Sequence, residues 1–268
     1  MRYVAPARGS VDPGVFERMP LLAWRDYAAA LKGDAWPSLD QLNAGLPAAA
    51  TYRFVAQTPG LLADGLHYEQ RIAECGAIAT RTCNWHDLLN ALIWLRQPAL
   101  KQALNRRQIA EIARMGPKSR SRAQYALTHF DEGGVIVRLR DPALLALWDA
   151  HDWHGLFWKQ RRAWLDGTIQ LELFGHALLE LALSPGKLLV GKALVFQSSA
   201  ADVSDVSARC AEAIASGRLL NDPLELRPLP LSGLPGWHDD NEEEGFHRNA
   251  PCYQPKRSGR KYPAHTMI

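Results

Sequence analysis

Residues 84–96 read Asn-Trp-His-Asp-Leu-Leu-Asn-Ala-Leu-Ile-Trp-Leu-Arg, long enough for more than three helical turns, with no long charged side chain before Arg96. At about 100° per residue, His86, Asp87, Asn90 and Trp94 share a sector roughly 100° wide. Leu88, Leu89, Leu92, Ile93 and Leu95 fill the rest of the wheel. A surface helix carries Lys, Glu and Arg opposite its apolar stripe, and this one has no such face. The helix is therefore predicted to be buried nearly all round, with a narrow polar strip turned to something other than bulk water. Other elements must wrap it, and a chain of 268 residues that is 47% hydrophobic has the material to do so.

The strip has a structural reading. Asn84 caps the helix, Asp87 at the third helical position suits the cap amide and the macrodipole, and His86 and Asn90 are satisfied inside the core. It also has a functional reading, which needs a partner. Residues 171–183, read as a helix, carry Glu172, His176 and Glu180 at four-residue steps among leucines, on one face roughly 80° wide. Carboxylates and imidazoles on one face suit a divalent metal or an acid–base pair, whereas a thin solvent stripe is the plainer explanation. If the two helices pack face to face, His86, Asp87, His176 and Glu180 meet as metal ligands. Asn90, Glu172 and Asp131 are possible additions. Buried carboxylates need a metal, a proton or a cation, and Arg81, Arg161 and Arg162 are available cations. The function this suggests is a metal-dependent hydrolase, with phosphoesters as candidate substrates.

Along the chain, Ser38-Leu39-Asp40-Gln41 reads as a capping box opening a short helix that ends near Gly45. Residues 52–57 suggest a strand, residues 68–75 a helix stopped by Gly76, and Pro98 a helix running to about Met115. Residues 125–130 and 135–139 flank Asp131-Glu132-Gly133-Gly134, which predicts a hairpin with Asp131 at its turn. Asp141-Pro142 opens a helix through Ala150. A helical stretch is expected from Trp153 towards Leu183, with a break at Asp166-Gly167. Residues 187–196 fit strand or helix equally, and residues 202–216 form a helix stopped by Gly217. The fold class expected is mainly α with a small antiparallel β element (α+β). Residues 1–227 are expected to form one mainly helical domain. Residues 228–268 are expected to be an irregular Pro/Gly-rich segment, its first part packed on the domain through Leu234 and Trp237 and its basic end flexible.

A net charge of +3 provides no global argument for nucleic acid or membrane. The four cysteines form no C-x-x-C pair, no apolar h-region follows the N-terminal arginines, and no apolar run approaches the roughly 20 residues of a membrane span. A soluble cytoplasmic protein is expected. Residues 101–122 contain seven basic residues and one acid, Glu111, so the alternative function is a polyanion-binding module using Lys118, Arg120 and Arg122. A protein-binding surface built on some of the nine tryptophans is a third option. No P-loop, nucleophile elbow or Rossmann fingerprint is present.

Asn84-Trp85-His86-Asp87-Leu88-Leu89-Asn90-Ala91, Phe130-Asp131-Glu132-Gly133, Phe174-Gly175-His176-Ala177-Leu178-Leu179-Glu180 and Leu229-Pro230-Leu231-Ser232-Gly233-Leu234-Pro235-Gly236-Trp237 occur in this order. Together they resemble the bacterial family called domain of unknown function 3025, over roughly residues 52–253. The resemblance implies a proteobacterial type of protein and one family-wide domain that includes the Pro/Gly-rich end. It implies no activity. The His86-Asp87 doublet, with His67 upstream, also resembles the HD phosphohydrolases, but Leu88-Leu89-Asn90 departs from the small residues usual there.

Overall fold

The computed structural model describes residues 3–116, 119–200 and 202–263. The chain is about 52% helical and 12% strand, which makes it α+β, with two small sheets of mixed orientation. Among the described residues no helix is long and apolar enough to cross a membrane.

Helix α1 (Leu39–Ala44) opens on the Ser38/Gln41 capping box. Strands β1 (Arg53–Ala56) and β2 (Ala77–Thr80) pair in parallel, Phe54 opposite Ile78, and α2 (Tyr68–Cys75) lies on the connection between them. Gly76 ends α2 in the left-handed region at φ 61°, and a Cβ there would meet Thr51 O at 2.3 Å, so only glycine fits.

Helix α3 (Trp85–Arg96) is the buried helix the sequence demanded. Leu89, Leu92 and Ile93 are wholly inaccessible, and Asn84 Oδ1 accepts from Asp87 N at 3.0 Å as the cap. Arg96 emerges at the end, donating to Ala23 O and stacking on Trp24. Gln97 turns the chain into α4 (Pro98–Met115), whose first residue needs no amide donor.

The expected hairpin at residues 125–139 does not exist. Residues 122–133 form α5 (Arg122–Gly133), opened by a Ser121/Gln124 capping box, and the chain runs straight into β3 (Gly134–Leu139). Ala123, Ala126, Leu127 and Phe130 recur at helical spacing and are buried, and this outweighs the turn-like Asp-Glu-Gly-Gly. Asp131 is thus a residue of the last helical turn. The glycines serve close approach instead: a Cβ on Gly134 would lie 2.3 Å from Phe130 O, and one on Gly175 would lie 2.5 Å from the Gly133 backbone.

The expected helix over residues 171–183 is also corrected. Ile169-Gln170-Leu171-Glu172-Leu173 alternates with period two and forms β4 (Ile169–Leu173), while helix α7 (His176–Leu181) begins only after Phe174-Gly175. Upstream lie α6 (Ala143–Ala150), a π-helical turn at His154–Lys159 and a short helix at Arg161–Leu165, with the break at Asp166-Gly167. Residues left ambiguous by periodicity form β5 (Val190–Gln197), and α8 (Val203–Ala215) is capped by Asp202.

The larger sheet has the order β4-β3-β5-β6, where β6 is Arg227–Pro230. β3 pairs antiparallel with β4 but parallel with β5, and β5 is antiparallel to β6, so the purely antiparallel element expected is a mixed one. β3 is buried on both faces, as a central strand covered by helices must be. Beyond β6 the chain makes short helical turns and α9 (Glu244–Asn249), with Leu234 buried and Trp237 packed on the core.

Candidate functional site

Helix α7 packs on α3 and α5, and this brings three of the expected ligands together. His86 sits in the first turn of α3 and His176 at the first residue of α7. Their Nε2 atoms are 3.1 Å apart and their rings meet edge to face. On its other side His86 Nδ1–H donates to Glu180 Oε2 at 2.9 Å, one turn along α7 from His176. Asp131, from the end of α5, places Oδ2 3.9 Å from His176 Nδ1. That nitrogen is buried and has no hydrogen-bond partner among the described residues.

Two of the expected residues point elsewhere. Asp87 turns back to Arg81, accepting from its backbone N at 2.6 Å, its Nε at 3.1 Å and its NH2 at 2.7 Å. Glu172, on a strand rather than on the α7 face, accepts from Gln97 Nε2 at 2.7 Å and from Ser207 Oγ. Among the described residues no group of three or more His, Cys, Asp or Glu side chains is arranged to hold a metal ion. His67, the third residue of the phosphohydrolase likeness, caps α2 instead.

The cation that faces Asp131 is neither Arg161, which bonds Asn241 O and Glu242, nor Arg162, which pairs loosely with Asp166. It is Lys101 of α4, only 4% exposed, whose Nζ donates to Asp131 Oδ1 at 2.6 Å and Asn90 Oδ1 at 2.7 Å. Asn90 passes the network on through Nδ2–H to Tyr68 OH at 3.0 Å. Neighbouring Glu69 is held by Asn105, whose Nδ2 donates to Glu69 Oε2 at 2.6 Å and to Glu69 O at 2.9 Å. Lys101, Asn105 and Gln108 occupy one face of α4, beside Leu100 and Leu104. A polar stripe beside two leucines is the sequence signal for this wall, and its lysine is the first residue of the basic stretch 101–122.

These side chains line one cavity of about 270 Å³, with His86, His176, Asp131, Lys101, Tyr68 and Glu69 among its walls. Titration is split across it. The hydrogen bond to Glu180 raises His86 above the usual histidine range, against the opposing effect of burial. Burial pushes His176 down to about 3, so its ring stays neutral. For Asp131 burial acts upward and is the largest single effect, but the charge and hydrogen bond of Lys101 together with the neighbouring His176 and His86 outweigh it, and the carboxyl is lowered. Burial raises Glu69.

The chemistry follows from tautomers. With Glu180 fixing a proton on His86 Nδ1, and Asp131 favouring a proton on His176 Nδ1, the two Nε2 atoms have one proton between them or none. Without it, two lone pairs face each other at 3.1 Å. With it, His86 carries the charge beside Glu180. The pair is built to take up and give back a single proton.

Of the polyanion residues, Lys118 lies outside the described residues. Arg120 and Arg122 are exposed, yet Arg120 bonds Gln124 O and Thr128, and Arg122 NH2 donates to Asp222 Oδ1 at 2.8 Å.

Comparison with known proteins found no match among curated proteins and none among solved structures. One family model matches, over residues 52–257, a span that contains every residue of the cavity named above. The chain belongs to the family described as protein of unknown function (DUF3025).

Proposed function

We propose that the protein is a hydrolase of small molecules, an ester or phosphoester being cleaved in the cavity with the His86–His176 pair as general acid and base. The observation that carries this reading is the 3.1 Å contact between the two Nε2 atoms, with Glu180 on the far nitrogen of His86. The deprotonated pair takes a proton from a water, the oxygen attacks the carbonyl carbon or phosphorus, and the protonated pair returns the proton to the leaving oxygen. Lys101 spends two of its three donors on Asn90 and Asp131, which leaves one for charge developing on the substrate.

The metal-dependent form of this reading rests on the same contact. Two nitrogens about 2.0–2.1 Å from a tetrahedral zinc stand roughly 3.3 Å apart, close to the 3.1 Å seen here. A panel of p-nitrophenyl esters and phosphoesters, assayed with added zinc, magnesium or chelator, tests both forms. The expected result is turnover lost in His86→Ala and in His176→Gln. Turnover that survives chelation assigns the work to the histidine pair alone, and turnover that returns only with zinc assigns it to a metal. Hydrolysis that persists unchanged in both variants would remove the reading.

A further inference from the structure

The acids of the cavity wall are not all matched by bases. Asp87 pairs with Arg81 and Asp131 with Lys101, both within 2.7 Å. Glu69 has no basic side chain within ion-pair distance among the described residues, and its Oε1 accepts no hydrogen bond there. Exposed Glu132 adds a second acid to the same wall. Glu69 is nevertheless held in place, because Asn105 grips both its side chain and its own backbone carbonyl. A carboxylate that is fixed, walled in and feels only the more distant positive charge of Lys101, with no ion pair of its own among the described residues, is a receptor for positive charge. The wall also holds His176, 4% exposed, whose Nδ1 has no hydrogen-bond partner among the described residues and has Asp131 Oδ2 3.9 Å away. Tyr68 and Trp94 line the same space, and the Trp94 ring already carries the Lys101 ammonium 5.5 Å from its centroid.

The geometry points to a small organic cation, with an ammonium or guanidinium group seated on Glu69, as the ligand of this cavity. Its size follows from the volume: since about 150 Å³ accommodates benzene, 270 Å³ holds a molecule of about a dozen non-hydrogen atoms. The inference deepens the hydrolase reading by naming the substrate class. It stands on Glu69 rather than on the histidines, so each can fail without the other.

The test is binding to the full chain by calorimetry and ligand-observed NMR. The probes are n-butylammonium and n-butylguanidinium chloride, with butyrate and inorganic phosphate as the anionic counterparts. Both cations, or one of them, are expected to bind and the anions are not. Glu69→Gln keeps the shape and the Asn105 contact and is expected to weaken the cation by roughly 10- to 100-fold, the worth of one charged hydrogen bond. Asn105→Ala, which frees the carboxylate without removing it, is expected to weaken it by less. Hydrolysis of the uncharged p-nitrophenyl esters is read in parallel, so that loss of cation binding and loss of turnover are scored separately. The inference is overturned if the anions bind as well as the cations or if no cation binds at tens of millimolar. It is also overturned if magnesium or calcium chloride displaces the cation at lower concentration, or if folded Glu69→Gln and Asn105→Ala both bind it with wild-type affinity.

Discussion

Lowering the pH should destabilise this protein through one side chain, and the size of the effect follows from His176. Its imidazole is packed between α3 and α5, where burial holds the folded-state value down at about 3. In the unfolded chain the ring titrates near 6.5. The folded value is the depressed one, so the stability this ring allows is fully present above about pH 6.5 and is lost as pH falls towards 3. At pH 5 the unfolded ring has gained its proton and the folded ring has not, a gap of about 1.5 units, or about 2 kcal/mol. Other groups titrate over the same interval, so the measurement is a difference. Urea unfolding of wild type and His176→Gln, each at pH 7.5 and pH 5, should show the wild type losing about 2 kcal/mol more than the variant. Glutamine retains a polar group towards His86 and removes only the ionisation. Equal losses in the two proteins would refute the claim that burial keeps this ring neutral.

Glu180→Gln should lower the titration midpoint of His86, read from its ring resonances by NMR, because the largest cause of its raised value is removed. The raised value implies stability that is present below about pH 6.5 and is lost as pH rises through the folded value, and the variant should lack that dependence. Lys101→Met should cost about 3–5 kcal/mol by leaving Asp131 walled in without its cation. Adding Asp131→Asn should recover part of that loss in the same denaturation assay. Leu92→Ala, at a position with no accessible surface, should cost about 2–5 kcal/mol by opening a cavity in the core.

What the sequence made legible was burial. The wheel of residues 84–96 has no charged face, and burial on every side is the only environment such a helix tolerates. The meeting of His86 with His176 and Glu180 was likewise readable, because polar residues on leucine-rich segments find partners across the core. What failed was local geometry decided by distant contacts. Gly133-Gly134 looked like a turn because glycine is permissive, whereas the structure uses these positions to let Gly175 approach. Glu172 seemed to share a helical face with His176, but Phe174-Gly175 ends a strand between them and its carboxylate goes to Gln97. Asp87 was read as a ligand or a cap partner, and it is a clamp for Arg81. Lys101 escaped notice because net charge along a segment hides which single lysine faces inward.

The order of the larger sheet has a consequence for how the site comes into being. β3 is central, and its parallel neighbour β5 begins 51 residues after the end of β3, at Val190 against Leu139. The far edge strand β6 arrives only at Arg227. Pairings of such long sequence separation carry a large loop-closure cost and form slowly. The two histidines come from helices that flank β3 and β4 in the chain, His86 before β3 and His176 between β4 and β5. During synthesis His86 therefore leaves the ribosome 90 residues before His176, and the pair can form only after β3, β4 and the helices that hold both rings have been made. Its appearance, followed by the His86 titration, should lag the recovery of helical signal on refolding.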